Sequence, residues 1–446
     1  MCSRAPRQEA TYIVHDSAAV KLDGIDVAFD DERAVSDAGA LLAGTLAGRL
    51  GIEALVERTV CLGERPGAAN PGAKVMSLVS AMALGADSID DCDLLRAARS
   101  AQVLGHRVAA PSTLGTFLRS FTFGHVRQLD RVLGETLRRA WAAGAGPGDG
   151  RLLVDVDSFV GEVHGAAKQG ACFGYTRQRG YHPLLATRAD TGEVLHIRLR
   201  KGSANTARGM ERFLDELIAR VGRAGAPGPK LLRADSGFWS KRTFTRLERA
   251  GWSYSIGVRM QPHVRAAVEQ IPEDAWQTLE DYPPTSIAQI AETTLGEQRL
   301  VVRRVRTLDR QGELLPTWEH FPFATNRTDA LALAEAEHRQ HAVVELAIRD
   351  LKDQALAHFP SGRFSANAAW TVIACLAHNL LRWTSVLGLP GDTVRAARTV
   401  RRRLLALPGR LTRSARRWTL HLPARWPWQD DFTAALTRLR ALPTPA

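Results

Sequence analysis

Between Arg151 and about residue 359 two side-chain periodicities alternate, and their order restricts the fold more than any other feature of the chain. LLVDVDSFV, directly after Arg151, is a short β-branched run that reads as a strand. YHPLLATRAD and EVLHIRLRKG flank a turn at Asp190–Gly192 and predict a hairpin. ARGMERFLDELIARVG then places Met210, Phe213, Leu214 and Leu217 on one helical face. KLLRADSGF reads as an apolar strand running into a turn, KRTFTRLERAG as a helix and WSYSIGVRM as a further strand. From about Gln261 to Thr325 the runs SIAQIAETTL, RLVVRRVRTL and FPFATN are strand-like and separated by turn residues. Thr328 or Asp329 is then expected to cap a long helix reaching about Phe359.

Three antiparallel strands followed by strands joined through helices is the order of a ribonuclease-H-like fold. The expected class is therefore α/β, with such a core over residues 151–383 and a β-rich insertion at about 261–325. From about Asp37 to Ala143, apolar residues recur at three- and four-residue steps, as in GALLAGTLAGRLGIEALVERT and VMSLVSAMALGADSI. That pattern predicts an all-helical N-terminal domain, residues 1–143, for DNA binding or dimerisation, with residues 1–25 as a lightly structured leader. PSTLGTFLRSFTF begins with Pro111 and Ser112 at a helix start. It suits the second helix of a helix-turn-helix and a plain bundle helix equally well. AAGAGPGDG, Ala142–Gly150, has the small residues of a linker, and a basic segment, residues 384–446, closes the chain.

Lys+Arg of 59 against Asp+Glu of 47, a net +12, favours a polyanionic partner. No apolar run is read as approaching the roughly 18–20 residues of a membrane span, and the first twenty residues contain no apolar secretory core. Nucleic acid is thus the expected partner, and the cytoplasm, in association with the nucleoid, the expected compartment. Five scattered cysteines without a C-x-x-C pair argue against a disulfide framework and a zinc ribbon. His164, His182 and His196 follow no standard zinc spacing and read as core or surface residues. From Arg395 to Arg440 there are twelve arginines, no lysine and two acids, a net +10, so most of the excess charge sits in the last tenth of the chain. Arg401, Arg402 and Arg403 form one run and Arg413, Arg416 and Arg417 another; all six are expected to contact DNA phosphates. Trp418, Trp426 and Trp428 follow, and either pack a small core or stack on a deformed DNA end.

The acids are the chemical signal. Asp155 and Asp157 stand two apart in the first strand and point to one face. A carboxylate in a buried apolar strand is costly unless it is paired or binds a cation. Asp235, at the end of another strand, presents the same anomaly, and ligands of open α/β sheets gather at the carboxyl ends of strands. In HRQHAVVELAIRDLK, His338, Glu345 and Lys352 are spaced by sevens and share a helical face, with His341 beside them. Three converging carboxylates repel one another unless a divalent cation neutralises them. Two Mg²⁺ ions about 3.5–4 Å apart can activate a water or a 3′ hydroxyl and stabilise the leaving oxygen of a phosphodiester. The expected ligands are Asp157, Asp235 and Glu345. Asp155, deeper in its strand, is expected to orient a ligand or a nearby cation.

These residues resemble the DDE transposases of bacterial insertion sequences, in particular the group numbered thirteen-eighty. The resemblance runs through DVDSFVGEVHGAAKQGACFGYTRQRGYHPLLATRADTGEVLHIRLRKGSANTARG, LLRADSGFW and HAVVELAIRDLKDQALAHFPSGRFSANAAW, about Leu152–Trp383. The family's first Asp, in a D-S-T type motif, falls on Asp157, with Phe159 in place of the usual Thr. The second falls on Asp235, the Glu on Glu345, and the Lys seven residues later on Lys352. Where related transposases place a Tyr and an Arg that contact DNA near the cut, this sequence has His338 and His341, and the resemblance implies DNA contacts by these two and by Lys352. The resemblance implies Mg²⁺ or Mn²⁺ and double-stranded DNA as terminal inverted repeats and target. It also implies a homodimer or larger synaptic assembly that excises the element and inserts it elsewhere. The competing readings are a nuclease of the same fold without strand transfer and a former transposase kept as a DNA-binding regulator. The intact acid triad weighs against the regulator, and the helical front domain and basic tail against the nuclease.

Overall fold

The computed structural model describes residues 22–174, 177–307, 317–391 and 395–444. The leader expected over residues 1–25 lies almost wholly outside the described residues. The chain divides into two compact units, Met1–Glu32 and Arg33–Ala446. Among its described residues the first holds one 3-10 turn, Leu22–Gly24.

The centre of the second unit is a mixed nine-stranded sheet. Strand β1 (Leu152–Ser158) pairs antiparallel with β2 (Leu184–Arg188), which turns through Gly192, at φ 68°, into antiparallel β3 (Val194–Arg198). On its other side β1 pairs parallel with β4 (Lys230–Ala234), and β4 pairs parallel with β5 (Ser253–Gly257). Helices α6 (Met210–Ala224) and α7 (Lys241–Arg249) make the connections. This is the strand order and direction expected from the sequence pattern.

The β-rich insertion does not stand apart from the sheet. Its strands β6 (Gln277–Thr278), β7 (Ser286–Leu295), β8 (Gln298–Thr307) and β9 (Glu319–Thr325) form an antiparallel run. Phe323, Ala324 and Thr325 of β9 pair with Gly257, Ile256 and Ser255, so the insertion prolongs the sheet beyond β5. An unpaired β5 would leave a row of backbone N–H and C=O groups without partners; β9 supplies them.

The front of the chain is helical: α1 (Ala40–Arg49), α2 (Ile52–Thr59), α3 (Pro71–Ala83), α4 (Pro111–Arg119) and α5 (Phe123–Ala140), with shorter turns between them. The long helix expected up to Phe359 is interrupted. It consists of α8 (Leu331–Arg339), a 3-10 turn at Gln340–Ala342 and α9 (Val343–Lys352). Neither Thr328 nor Asp329 caps it, because α8 starts after Ala330 and the Asp329 carboxylate pairs with Arg327.

Helix α10 (Phe364–Gly388) is long and apolar enough to cross a membrane, which the sequence pattern did not reveal because Asn367, His378, Asn379 and Arg382 interrupt it. Here it is a core helix, with 89% of its most apolar window buried inside the protein. Each polar interruption has a partner. The Asn379 amide accepts from Val194 N at 2.7 Å and donates to Val194 O at 2.8 Å, satisfying the edge of β3. His378 Nε2 meets Gly192 O at 2.8 Å, and Arg382 donates to Asp350 at 2.5 Å. Asn367 donates to the Tyr181 hydroxyl at 3.0 Å. One contiguous core joins Leu46 and Leu133 of the front helices, Val154 and Val156 of β1, Trp370 of α10 and Leu439 of the last helix.

The C-terminal stretch is more than a charged tail. It forms a hairpin, β10 (Gly409–Ser414) and β11 (Arg417–His421), whose first strand also pairs with Ala34–Val35, and then α11 (Gln429–Ala441). Leu404, Leu405, Leu407, Phe432, Ala435 and Leu439 are all buried in the core.

Candidate active site

Asp157 is the penultimate residue of β1, Asp235 directly follows β4, and Glu345 occupies the first turn of α9. Because β1 and β4 are parallel neighbours, their carboxyl ends lie side by side, and α9 packs over β1. Burial pushes the Asp157 carboxyl up to about 6; the Ser158 N–H, donated at 2.6 Å, and His341 oppose this, while the charges of Asp235 and Glu345 add to it. One oxygen of Asp235 accepts from Gly237 N at 2.9 Å, so its carboxylate caps the short turn Ser236–Phe238. Asp235 and Glu345 are exposed and Asp157 is partly buried. The three acids named from the sequence thus lie near enough to one another for the charges of Asp235 and Glu345 to act on Asp157.

Asp155 is different. It is fully buried and held by Arg233, its register partner on β4, through Nε–Oδ1 at 2.7 Å and Nη2–Oδ2 at 2.8 Å. Burial raises its carboxyl and the Arg233 guanidinium counters the rise. Arg233 also donates to Glu337 O at 2.5 Å, tying β4 to α8. The Asp155 carboxylate is thus fully engaged by this arginine.

The family model for transposase DDE domain group 1 matches residues 17–444. The chain belongs to that family. It is a DDE transposase, an enzyme of DNA transposition, and the family uses divalent metal ions. No curated protein matches it. Among solved structures the transposase is similar to piggyBac transposase in a cryo-EM synaptic complex with hairpin DNA. The identity is 15%, the TM-score 0.45, and the match covers 83% of this chain and 80% of that one.

The 3-10 turn at Gln340–Ala342 changes the phase of the polypeptide, so the sevenfold spacing of His338, Glu345 and Lys352 does not define one face. His338 turns into the transposase's sheet. It stacks on Phe323 with centroids 4.1 Å apart, and its Nδ1 lies 2.8 Å from Ser255 Oγ. Burial, then the charges of His341, Arg303 and Arg233, push its imidazole down to about 3, so it is neutral at physiological pH. That is a packing position, on Phe323 and Ser255, for the residue at which the resemblance implied a DNA contact. His341 instead reaches β1: its Nε2 is 3.3 Å from Val156 O, and both Asp155 and Asp157 feel its charge. Lys352 lies 5.4 Å from the centre of the Phe159 ring. Phe159, where the family motif has Thr, is thus a buried platform under that ammonium.

The arginine runs divide. Arg402, Arg403, Arg413, Arg416 and Arg417 are exposed, whereas Arg401 is partly buried. Burial lowers the pKa of Arg401 and the charges of buried Asp350 and exposed Asp353 oppose this, so Arg401 is partly turned toward these acids. Trp426 and Trp428 pack edge to face at 5.7 Å against the core, and Trp426 Nε1 donates to Arg403 O at 2.8 Å. Trp418 is 47% exposed, with Arg99 and Arg413 each 5.4 Å from its ring.

One buried cluster left no mark in the sequence. Asp130, His196 and Glu216 bring donor atoms within 4.8 Å of one another. Their carboxylates are already engaged: Arg220 donates to Asp130 at 2.7 Å, and Arg127, Arg198 and Arg212 pair with Glu216. Burial would raise Asp130, but Arg220 and His196 hold it far below the usual carboxylate range. This is an arginine-balanced network joining α5, β3 and α6. Its members lie 66 and 20 positions apart, a pattern no spacing rule detects.

Proposed function

We propose that this enzyme is the transposase of a bacterial insertion sequence of the group numbered thirteen-eighty, that it cuts DNA at terminal inverted repeats, and that it joins the freed ends to a target. The supporting observation is that Asp157 and Asp235 stand at the carboxyl ends of the parallel neighbours β1 and β4 while Glu345 lies in the first turn of α9, which packs over β1. Such a set of hard oxygen donors suits Mg²⁺ or Mn²⁺ better than a soft metal. Asp157, Asp235 and Glu345 would hold two ions. When bound, such a pair lowers the pKa of a water or 3′ hydroxyl and offsets the charge on the leaving oxygen.

The residues of the chain supply position. The Ser158 and Gly237 N–H groups each fix one carboxylate oxygen of the two aspartates, leaving the second for a ligand. Glu345, on an exposed helical turn, closes the third side. In the first step a water oxygen bonds to phosphorus, the P–O3′ bond breaks, and the leaving oxygen takes a proton as a 3′ hydroxyl. In the second, that 3′ oxygen bonds to a target phosphorus and gives up its proton, and the P–O3′ bond of the target breaks, its oxygen taking up a proton as a 3′ hydroxyl. Two copies of the chain synapse the two ends, and the complex works on the nucleoid. Helices α1–α5 serve DNA binding or dimerisation, and Arg402, Arg403, Arg413, Arg416 and Arg417 contact phosphates. Glu345→Gln tests the assignment: nicking of terminal-repeat DNA should be abolished with DNA affinity within a few-fold of wild type. Retained nicking would remove Glu345 from the site.

A further inference from the structure

Away from the carboxylates, a cleft of about 500 Å³ opens where the Arg65 loop, the end of α4, the start of α5 and the entry to α10 meet. Arg65, Arg119 and Arg363 line it with Thr116, Ser120 and Thr122, and no acid is among its lining residues. Each guanidinium is held by neutral acceptors. Arg65 Nη1 donates to Ser120 O at 3.3 Å and lies 3.3 Å from His125 Nδ1. Arg119 Nη2 donates to Thr116 Oγ1 at 3.2 Å, and Arg363 Nη1 donates to Arg119 O at 2.9 Å. A guanidinium has five N–H donors, so most remain for another acceptor. Three like charges gathered without a counter-charge repel one another, and a bound anion relieves that cost.

A second groove, of about 750 Å³ between α5 and α6, is also rich in arginine, but Arg127, Arg212 and Arg220 are there paired with Glu216 or Asp130. The chemistry of the first cleft is narrower. The exposed side of α4 offers Ser112, Thr113 and Arg119, donors of the kind that contact the DNA backbone. The segment that carries Arg363 is also anchored on both sides of it. Gln169, on the segment leaving β1, donates from its N to Gly362 O at 2.9 Å and accepts Phe364 N at 3.1 Å. We infer that Arg65, Arg119 and Arg363 form a phosphate clamp for the backbone of duplex DNA, gripping it across α4 and α5 apart from the cutting site. This rests on the transposase reading above.

The test is the salt dependence of duplex binding, by fluorescence anisotropy, for the full chain and for Arg65→Gln/Arg119→Gln/Arg363→Gln. Each lost phosphate contact lowers the log–log slope by about 0.9, so the triple variant should lose roughly 2–3. Because Arg65 and Arg363 also hold backbone carbonyls, Thr116→Glu is a second variant: it keeps every arginine but sets a carboxylate in the cleft, and it should weaken binding at least tenfold. A wild-type protein that neither binds nor cuts DNA would sink the transposase reading and the clamp together. A wild type that binds and cuts, with unchanged slope in the triple variant and unchanged affinity in Thr116→Glu, overturns the clamp alone. Inorganic phosphate is the third probe: if it raises the melting temperature of wild type but not of the triple variant, while DNA slopes stay equal, the cleft is a small-anion site and the DNA assignment is wrong.

Discussion

Replacing Asp157 by Asn should stabilise the metal-free protein while destroying its activity. In the folded chain burial, with the charges of Asp235 and Glu345, raises the Asp157 carboxyl from 3.8 to about 6. A difference of about two on the pH scale is worth about 3 kcal/mol against the ionised form. Asp157 is partly solvated, which reduces this to about 1.5 kcal/mol. The sign follows from proton linkage. Between pH 4 and 6 the folded state binds more protons than the unfolded state, so stability falls as pH rises through this window. Above pH 6 the penalty is complete. Asn carries no charge, so the variant escapes the penalty. With about 2.1 cal/mol/K of unfolding entropy per residue, the gain for a unit of this length is about 2 °C in Tm at pH 7.5. The assay is a thermal melt of both proteins from pH 4 to 8 in chelator, repeated with saturating Mg²⁺. Mg²⁺ should raise the wild-type Tm and reverse the order of the two proteins. If Asp157→Asn is no more stable than wild type at pH 7.5 without metal, the inferred cost of ionising Asp157 in its place on β1 is wrong.

Asp155→Asn should behave in the opposite way: it leaves Arg233 buried beside a neutral amide, at a cost of about 3–5 kcal/mol. Added Mg²⁺ should not restore its melting temperature; recovery on raising the metal would instead make Asp155 a ligand. Deleting the chain from Arg395 should yield insoluble protein, because Leu404, Leu405, Phe432 and Leu439 belong to the core; a soluble, folded truncation would contradict that packing. Substituting Arg402, Arg403, Arg416 and Arg417 by Gln keeps the fold and should lower the salt slope of DNA binding by about 0.9 per phosphate contact. An unchanged slope would show that these four arginines face only solvent.

The sequence by itself determined the order of strands and helices, since each is a local periodicity that side-chain burial enforces within one element. The hairpin at Asp190–Gly192 was legible from its turn residues, and Asp157 and Asp235 stood out as carboxylates at strand ends. Whatever depends on pairing across distance was not legible. That β9 adds to β5 is a choice of hydrogen-bond partner, and the residues of β9 would read the same in a separate insertion. Asp155 gave no sign that its partner is Arg233, because a parallel register joins residues 78 positions apart. The turn at Gln340–Ala342 carries no proline or glycine, yet it moves His338 onto Phe323 and leaves Glu345 facing the aspartates. Arg401 and Arg402 are neighbours with the same chemistry, and only packing turns one toward Asp350 and Asp353 and the other toward water. Tertiary structure decided these points because burial and charge pairing are settled between elements, where one chain position carries no record of its neighbour in space.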